Sequence, residues 1–79
     1  PHKLGLPLEK LKNKLTRRVW TVAENLVRGR GYIFLSDLVQ AAKNQLGREV
    51  TYINDSIFEL VSMGLLIPIP LEEFIEKYA

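Results

Sequence analysis

The sequence predicts a mainly α-helical chain with a small β element, on three observations. Apolar residues recur at steps of three and four over most of its length. Gly29, Gly31, Gly47 and Gly64 fall where those periodic runs end. Two short stretches, Tyr32-Ile33-Phe34-Leu35 and Leu65-Leu66-Ile67, carry β-branched, aromatic or aliphatic residues without helical spacing. At 79 residues, with 47% apolar and 25% charged residues, the chain has the length and composition of one small globular domain. Residues 1–7, with Pro1, Gly5 and Pro7, read as a flexible lead-in, and residues 8–79 as the domain.

From Leu8, the positions Leu11, Leu15, Val19, Val22 and Leu26 continue one apolar stripe. That stripe predicts a long amphipathic helix from Leu8 to Arg28, with Pro7 at its start. Thr16 is a candidate N-cap, which leaves open a break near Leu15. Trp20, Ala23 and Val27 add a second stripe in the later turns, so that half is expected to be buried on two sides. After a short strand at 32–35, Ser36 is placed to cap a second helix with Leu38, Val39, Ala42 and Leu46 on its inner face. Thr51 is placed to cap a third, with Ile53, Ile57, Leu60 and Val61 inward and Gly64 as its stop. A strand at 65–67 follows, confined to a sheet edge by Pro68 and Pro70. Leu71, Phe74, Ile75 and Tyr78 then share one face of a short acidic helix.

Several function classes are excluded by composition. Cysteine is absent, so disulfides, thiol catalysis and cysteine-ligated zinc are excluded. His2 is the single histidine, which prevents a two-histidine metal site or a Ser-His-Asp triad within this chain. No phosphate-loop or GxGxxG pattern occurs. Glu72 and Glu73 are adjacent in sequence and do not face one another on a helix, so they do not form a general acid–base pair. No catalytic role, metal or cofactor is expected. The longest unbroken apolar run, Leu65 to Leu71, has seven residues and two prolines, against the ~20 that a spanning helix needs. With no apolar leader pattern at residue 1, a cytoplasmic, nucleoid or nuclear setting is expected rather than secretion.

Charge divides the chain. Residues 1–48 carry ten of the eleven Lys and Arg against three carboxylates, a local charge of +7. Residues 49–79 carry Lys77 against six carboxylates, a local charge of −5. A basic half beside an acidic half fits either an anionic partner or head-to-tail packing between copies.

The order helix, short strand, helix, helix ending in Gly-Leu-Leu, then strand resembles the winged helix-turn-helix superfamily over residues 16–69, most clearly in IFELVSMGLLIPI. The stretch from Thr16 to Leu66 also resembles the non-catalytic helical segment ahead of the motor in RecD/TraA-type DNA helicases. Arg17 or Arg18, Gly31, Phe34 and Leu35 match that pattern, whereas Tyr32 stands in place of its histidine and Ser36 in place of its proline. The first resemblance implies a winged helix-turn-helix with extra terminal helices that binds DNA, RNA or protein. The second implies a replication or recombination protein whose ATPase lies outside these residues.

A conventional recognition helix is not expected. The third helix offers Asn54, Asp55, Ser56, Glu59 and Ser62 outward, with no Lys or Arg among them. Two readings remain. In the first, Lys10, Lys14, Arg17, Arg18, Arg28, Arg30, Lys43 and Arg48 contact the phosphates of duplex or single-stranded DNA with little sequence specificity. Tyr32 would then stack on an unpaired base, its alternative being a ring packed beneath the glycine turn. In the second, Leu8, Leu11, Leu15, Phe74 and Tyr78 form a protein-interaction surface for a second copy or for the rest of a parent protein.

Overall fold

The computed structural model describes residues 13–78 as four α-helices: α1 (Lys14–Val27), α2 (Leu35–Leu46), α3 (Val50–Ser62) and α4 (Leu71–Tyr78). The first three pack on one another around a shared core of Leu15, Val19, Val22, Ala23, Leu38, Ala42, Ile53, Ile57 and Leu60. Trp20, Leu26, Ile33, Val39, Leu46, Leu65 and Leu66 close its margins. α4 buries no residue fully. None of the described helices is long and apolar enough to cross a membrane.

The winged-helix expectation is overturned, because the described residues contain no strand at all. The reason lies in the backbone donors after α3. The N–H of Gly64 goes to Val61 O at 3.0 Å, and that of Leu65 to Leu60 O at 3.0 Å. This is the paired bonding of a Schellman cap, with Gly64 at φ +79° supplying the left-handed residue. Leu65 and Leu66 fold back against the core rather than extending into a wing. Their donors are spent on α3, so the apolar run has no ladder to join. The 32–35 stretch likewise forms no strand: residues 32–34 are an irregular connection, and Leu35 already opens α2.

The first helix is also shorter than its stripe suggested. Asn13 has extended backbone (φ −83°, ψ 119°), and its Oδ1 accepts from the N–H groups of Leu15 at 2.9 Å and Thr16 at 3.3 Å. Asn13 itself is outside helical geometry, so no single helix runs from Leu8 to Arg28. Leu8, Lys10 and Leu11 lie outside the described residues. Thr16 is not the cap; it is fully buried. The other two helices open one residue before Ser36 and Thr51 respectively, at Leu35 and Val50, and neither start has a side-chain cap. α2 closes at Gly47 (φ +65°), whose N–H bonds Lys43 O at 3.0 Å, as the glycine positions predicted.

Candidate nucleic-acid interface

The rotation of α3 decides which polar groups meet which. Ile53, Ser56, Ile57 and Leu60 are buried, which turns Ser56 inward and brings Glu59 to the edge of α1. Thr16 Oγ1 donates to Glu59 Oε1 at 2.7 Å and also hydrogen-bonds Ser56 Oγ at 3.2 Å. A hydrogen bond to a charged group contributes about 1.5–3 kcal/mol, so this network helps fix the register of α1 on α3. Ser56 and Glu59 therefore do not belong to the outward face of α3. That face instead carries Thr51, Asn54, Asp55, Phe58 and Ser62, all exposed.

The same packing sorts the cations. Lys14 and Arg18 stand one turn apart on the outer side of α1, and Arg48 comes from the loop between α2 and α3. The three converge on a small hollow of about 70 Å³ whose apolar wall is Leu15 and Leu46. Arg17 is exposed on α1 and shares that helix's outward face with Glu24. Arg28 caps the carboxyl end of α1, ~21 Å along the helix from Lys14 at ~1.5 Å per residue. Lys43 is exposed in the last turn of α2, where a cation complements the helix dipole. None of the side-chain hydrogen bonds among the described residues joins a guanidinium or ammonium group to a carboxylate.

Three cations rest on aromatic rings among the described residues, Lys77 at 5.7 Å from the centroid of Tyr78 being one. The Arg30 guanidinium lies 5.0 Å from the centroid of Tyr32, and that of Arg48 lies 5.2 Å from the centroid of Tyr52. The rings themselves differ. Tyr32 is half-buried among Phe74 (5.0 Å between centroids), Tyr78 (4.6 Å) and Phe34 (5.7 Å), the cluster that seats α4. It is packed beneath the glycine turn rather than offered as a platform. Tyr52 is 52% exposed and borders a second cleft of about 280 Å³ between α1 and α3, next to the cationic hollow. The lining of that cleft includes two carboxylates, Asp55 and Glu59, and two cations, Lys14 and Arg48.

The residues proposed for protein contact are dispersed. Leu15 is a core residue and is not available as a surface contact. Phe74 and Tyr78 hold α4 to residues 32–34. The most exposed apolar side chains are those of Leu35, Phe58, Ile67, Leu71 and Ile75, although Tyr78 is exposed as well. Tyr52 and Asp55 border the cleft, although sequence reasoning named Asp55 only as an outward residue of the third helix and gave Tyr52 no binding role. The available signal was the four-residue step from Arg48 to Tyr52 across a helix start, which places a cation beside an aromatic ring. Among the described residues no group of three or more His, Cys, Asp or Glu side chains is placed to hold a metal ion. Comparison with models of protein families, with curated proteins and with solved structures finds no match for the chain.

Proposed function

We propose that the chain is a non-catalytic nucleic-acid-binding module that holds the phosphate backbone with little sequence specificity. The observation that carries this reading is the convergence of Lys14, Arg18 and Arg48, from two elements distant in sequence, on one hollow. Three exposed cations with no carboxylate hydrogen-bonded to them form a local positive field. Phosphates bound there release condensed counterions, and this release drives sequence-independent association. The hollow is too small to enclose a metabolite, since sites that do so measure roughly 300–1,000 Å³. A single phosphate group on an extended strand fits it better.

The test is binding of a fluorescently labelled oligonucleotide at two salt concentrations. Retention at ~50 mM salt that falls by at least tenfold at ~200 mM is the expected result for three or more phosphate contacts. Absence of binding at the lower concentration contradicts the reading.

A second reading has its own support. Ile67 is 77% exposed, Phe58 72% and Leu71 71%, large apolar surfaces for so small a chain. They favour a protein partner or a second copy, and sedimentation that stays monomeric at high concentration counts against self-association.

A further inference from the structure

We infer that the cleft between α1 and α3 takes one unpaired base of a single-stranded nucleic acid whose phosphate sits on Lys14, Arg18 and Arg48. This inference rests on the phosphate-binding reading and narrows its ligand.

The cleft carries charges of both signs, an arrangement that a duplex backbone does not use. Its basic lip continues the cationic hollow, since Lys14 and Arg48 border both spaces. Its lining also holds the carboxylates of Asp55 and Glu59. A continuous run of phosphates is attracted to the cations and repelled by the carboxylates. A nucleotide meets both requirements at once, because its anionic group is at one end and its base edge at the other. The volume of about 280 Å³ lies just below the ~300–1,000 Å³ of sites that enclose whole small molecules, as suits one unit of a polymer whose remainder stays in solvent.

Tyr52 supplies the stacking surface. Arg48 covers part of the ring, and more than half of the residue's surface is left to solvent at the mouth of the cleft. A base seated on the remaining face is held between an aromatic ring and the cationic lip, the combination that single-strand binders use. Asp55 then confers a preference among bases. Its carboxylate accepts no hydrogen bond from the described side chains, whereas Glu59 is held by the Thr16 hydroxyl at 2.7 Å. An ionised carboxylate only accepts, so it favours bases with an exocyclic amino group, such as cytosine and adenine. Thymine and uracil lack that group and turn carbonyl oxygens toward the same carboxylate. RNA and DNA single strands share this chemistry.

The experiment measures anisotropy of labelled oligo(dC), oligo(dT), oligo(rC) and a duplex of equal length on the full chain and on Tyr52→Leu, Tyr52→Phe and Asp55→Asn. Circular dichroism confirms that each variant is folded. The expected results are tighter binding of oligo(dC) than of the duplex, about tenfold weaker oligo(dC) binding by Tyr52→Leu, and near-native binding by Tyr52→Phe. Asp55→Asn should reduce the ratio of oligo(dC) to oligo(dT) affinity about threefold or more, because the neutral amide both donates and accepts. Oligo(rC) should follow oligo(dC). Salt-sensitive binding that favours the duplex and ignores Tyr52 and Asp55 overturns this inference while leaving the phosphate reading intact. Failure of every strand to bind at low salt overturns both.

Discussion

The two arginine–tyrosine pairs have nearly the same separation and opposite surroundings. Arg30 on Tyr32 and Arg48 on Tyr52 differ by only 0.2 Å in separation, 5.0 against 5.2 Å. Tyr32 belongs to the seam between residues 32–34 and α4, and three other rings pack against it or beside it. Tyr52 stands on the α1–α3 frame and faces solvent. One ring is packed into a seam and the other is exposed to solvent. What separates them is what the fold puts around the ring, not the pair itself, and adjacency in sequence is a poor guide to it. The run Arg28-Gly29-Arg30-Gly31-Tyr32 draws attention as a binding element because its groups are contiguous. Lys14, Arg18 and Arg48 span more than thirty positions and are brought together only by folding.

The largest effect that can break this contrast concerns the frame. Leu60 is fully buried, and its carbonyl also accepts the capping N–H of Leu65. Leu60→Ala should destabilise by about 2–5 kcal/mol, enough to lower Tm by roughly 10–30 °C or to leave so small a chain unfolded. Ile75→Ala, at a side chain 53% exposed on α4, should stay within about 0.5 kcal/mol. Equal losses at the two positions would mean that α4 is as integral as α1–α3.

The next effect compares the rings. Tyr32→Leu removes edge-on and tilted aromatic contacts worth about 0.5–1.5 kcal/mol each, so thermal denaturation should show a loss of about 1–2 kcal/mol. Its nucleic-acid affinity should change little. Tyr52→Leu should do the reverse, with little change in Tm and a clear loss of binding. A shared profile for the two variants would erase the distinction between a packed ring and an offered one. A smaller effect, about 1 kcal/mol, is expected for Asn13→Ala, which removes the acceptor for two N–H groups at the start of α1. Fraying there loosens Lys14, so the salt dependence of binding should weaken along with stability.

Much of the helical frame was legible in the sequence. The inward positions Ile53, Ile57 and Leu60 are buried, as are Leu38 and Ala42, because a period of three and four reports burial directly. Gly47 and Gly64 end α2 and α3, since a left-handed residue favours glycine. The β element was misread for a reason of hydrogen-bond accounting. Leu65-Leu66-Ile67 has the composition of a strand, but composition does not reveal that Leu65 N–H is already committed to Leu60 O. The start of α1 was misread because Leu8 and Leu11 continue the stripe of Leu15 in phase, which masks the stronger local signal of an Asn cap at Asn13. At the candidate site, Lys14, Arg18 and Arg48 were among the candidate cations named from the sequence, but their convergence was not legible. The inward turn of Ser56 and Glu59 escaped as well, because a buried serine and a half-buried glutamate, both hydrogen-bonded to Thr16, mimic an outward polar face in sequence.

The most direct measurement is the slope of log affinity for a single strand against log salt, for the native chain and for Lys14→Ala/Arg18→Ala/Arg48→Ala. The three exposed side chains leave the core untouched, so the variant should fold. With one phosphate per cation, its slope should be shallower by about 2–3 units, at ~0.7–0.9 per phosphate. An unchanged slope would place the anionic contacts elsewhere on the chain and remove the basis for assigning this hollow to phosphate.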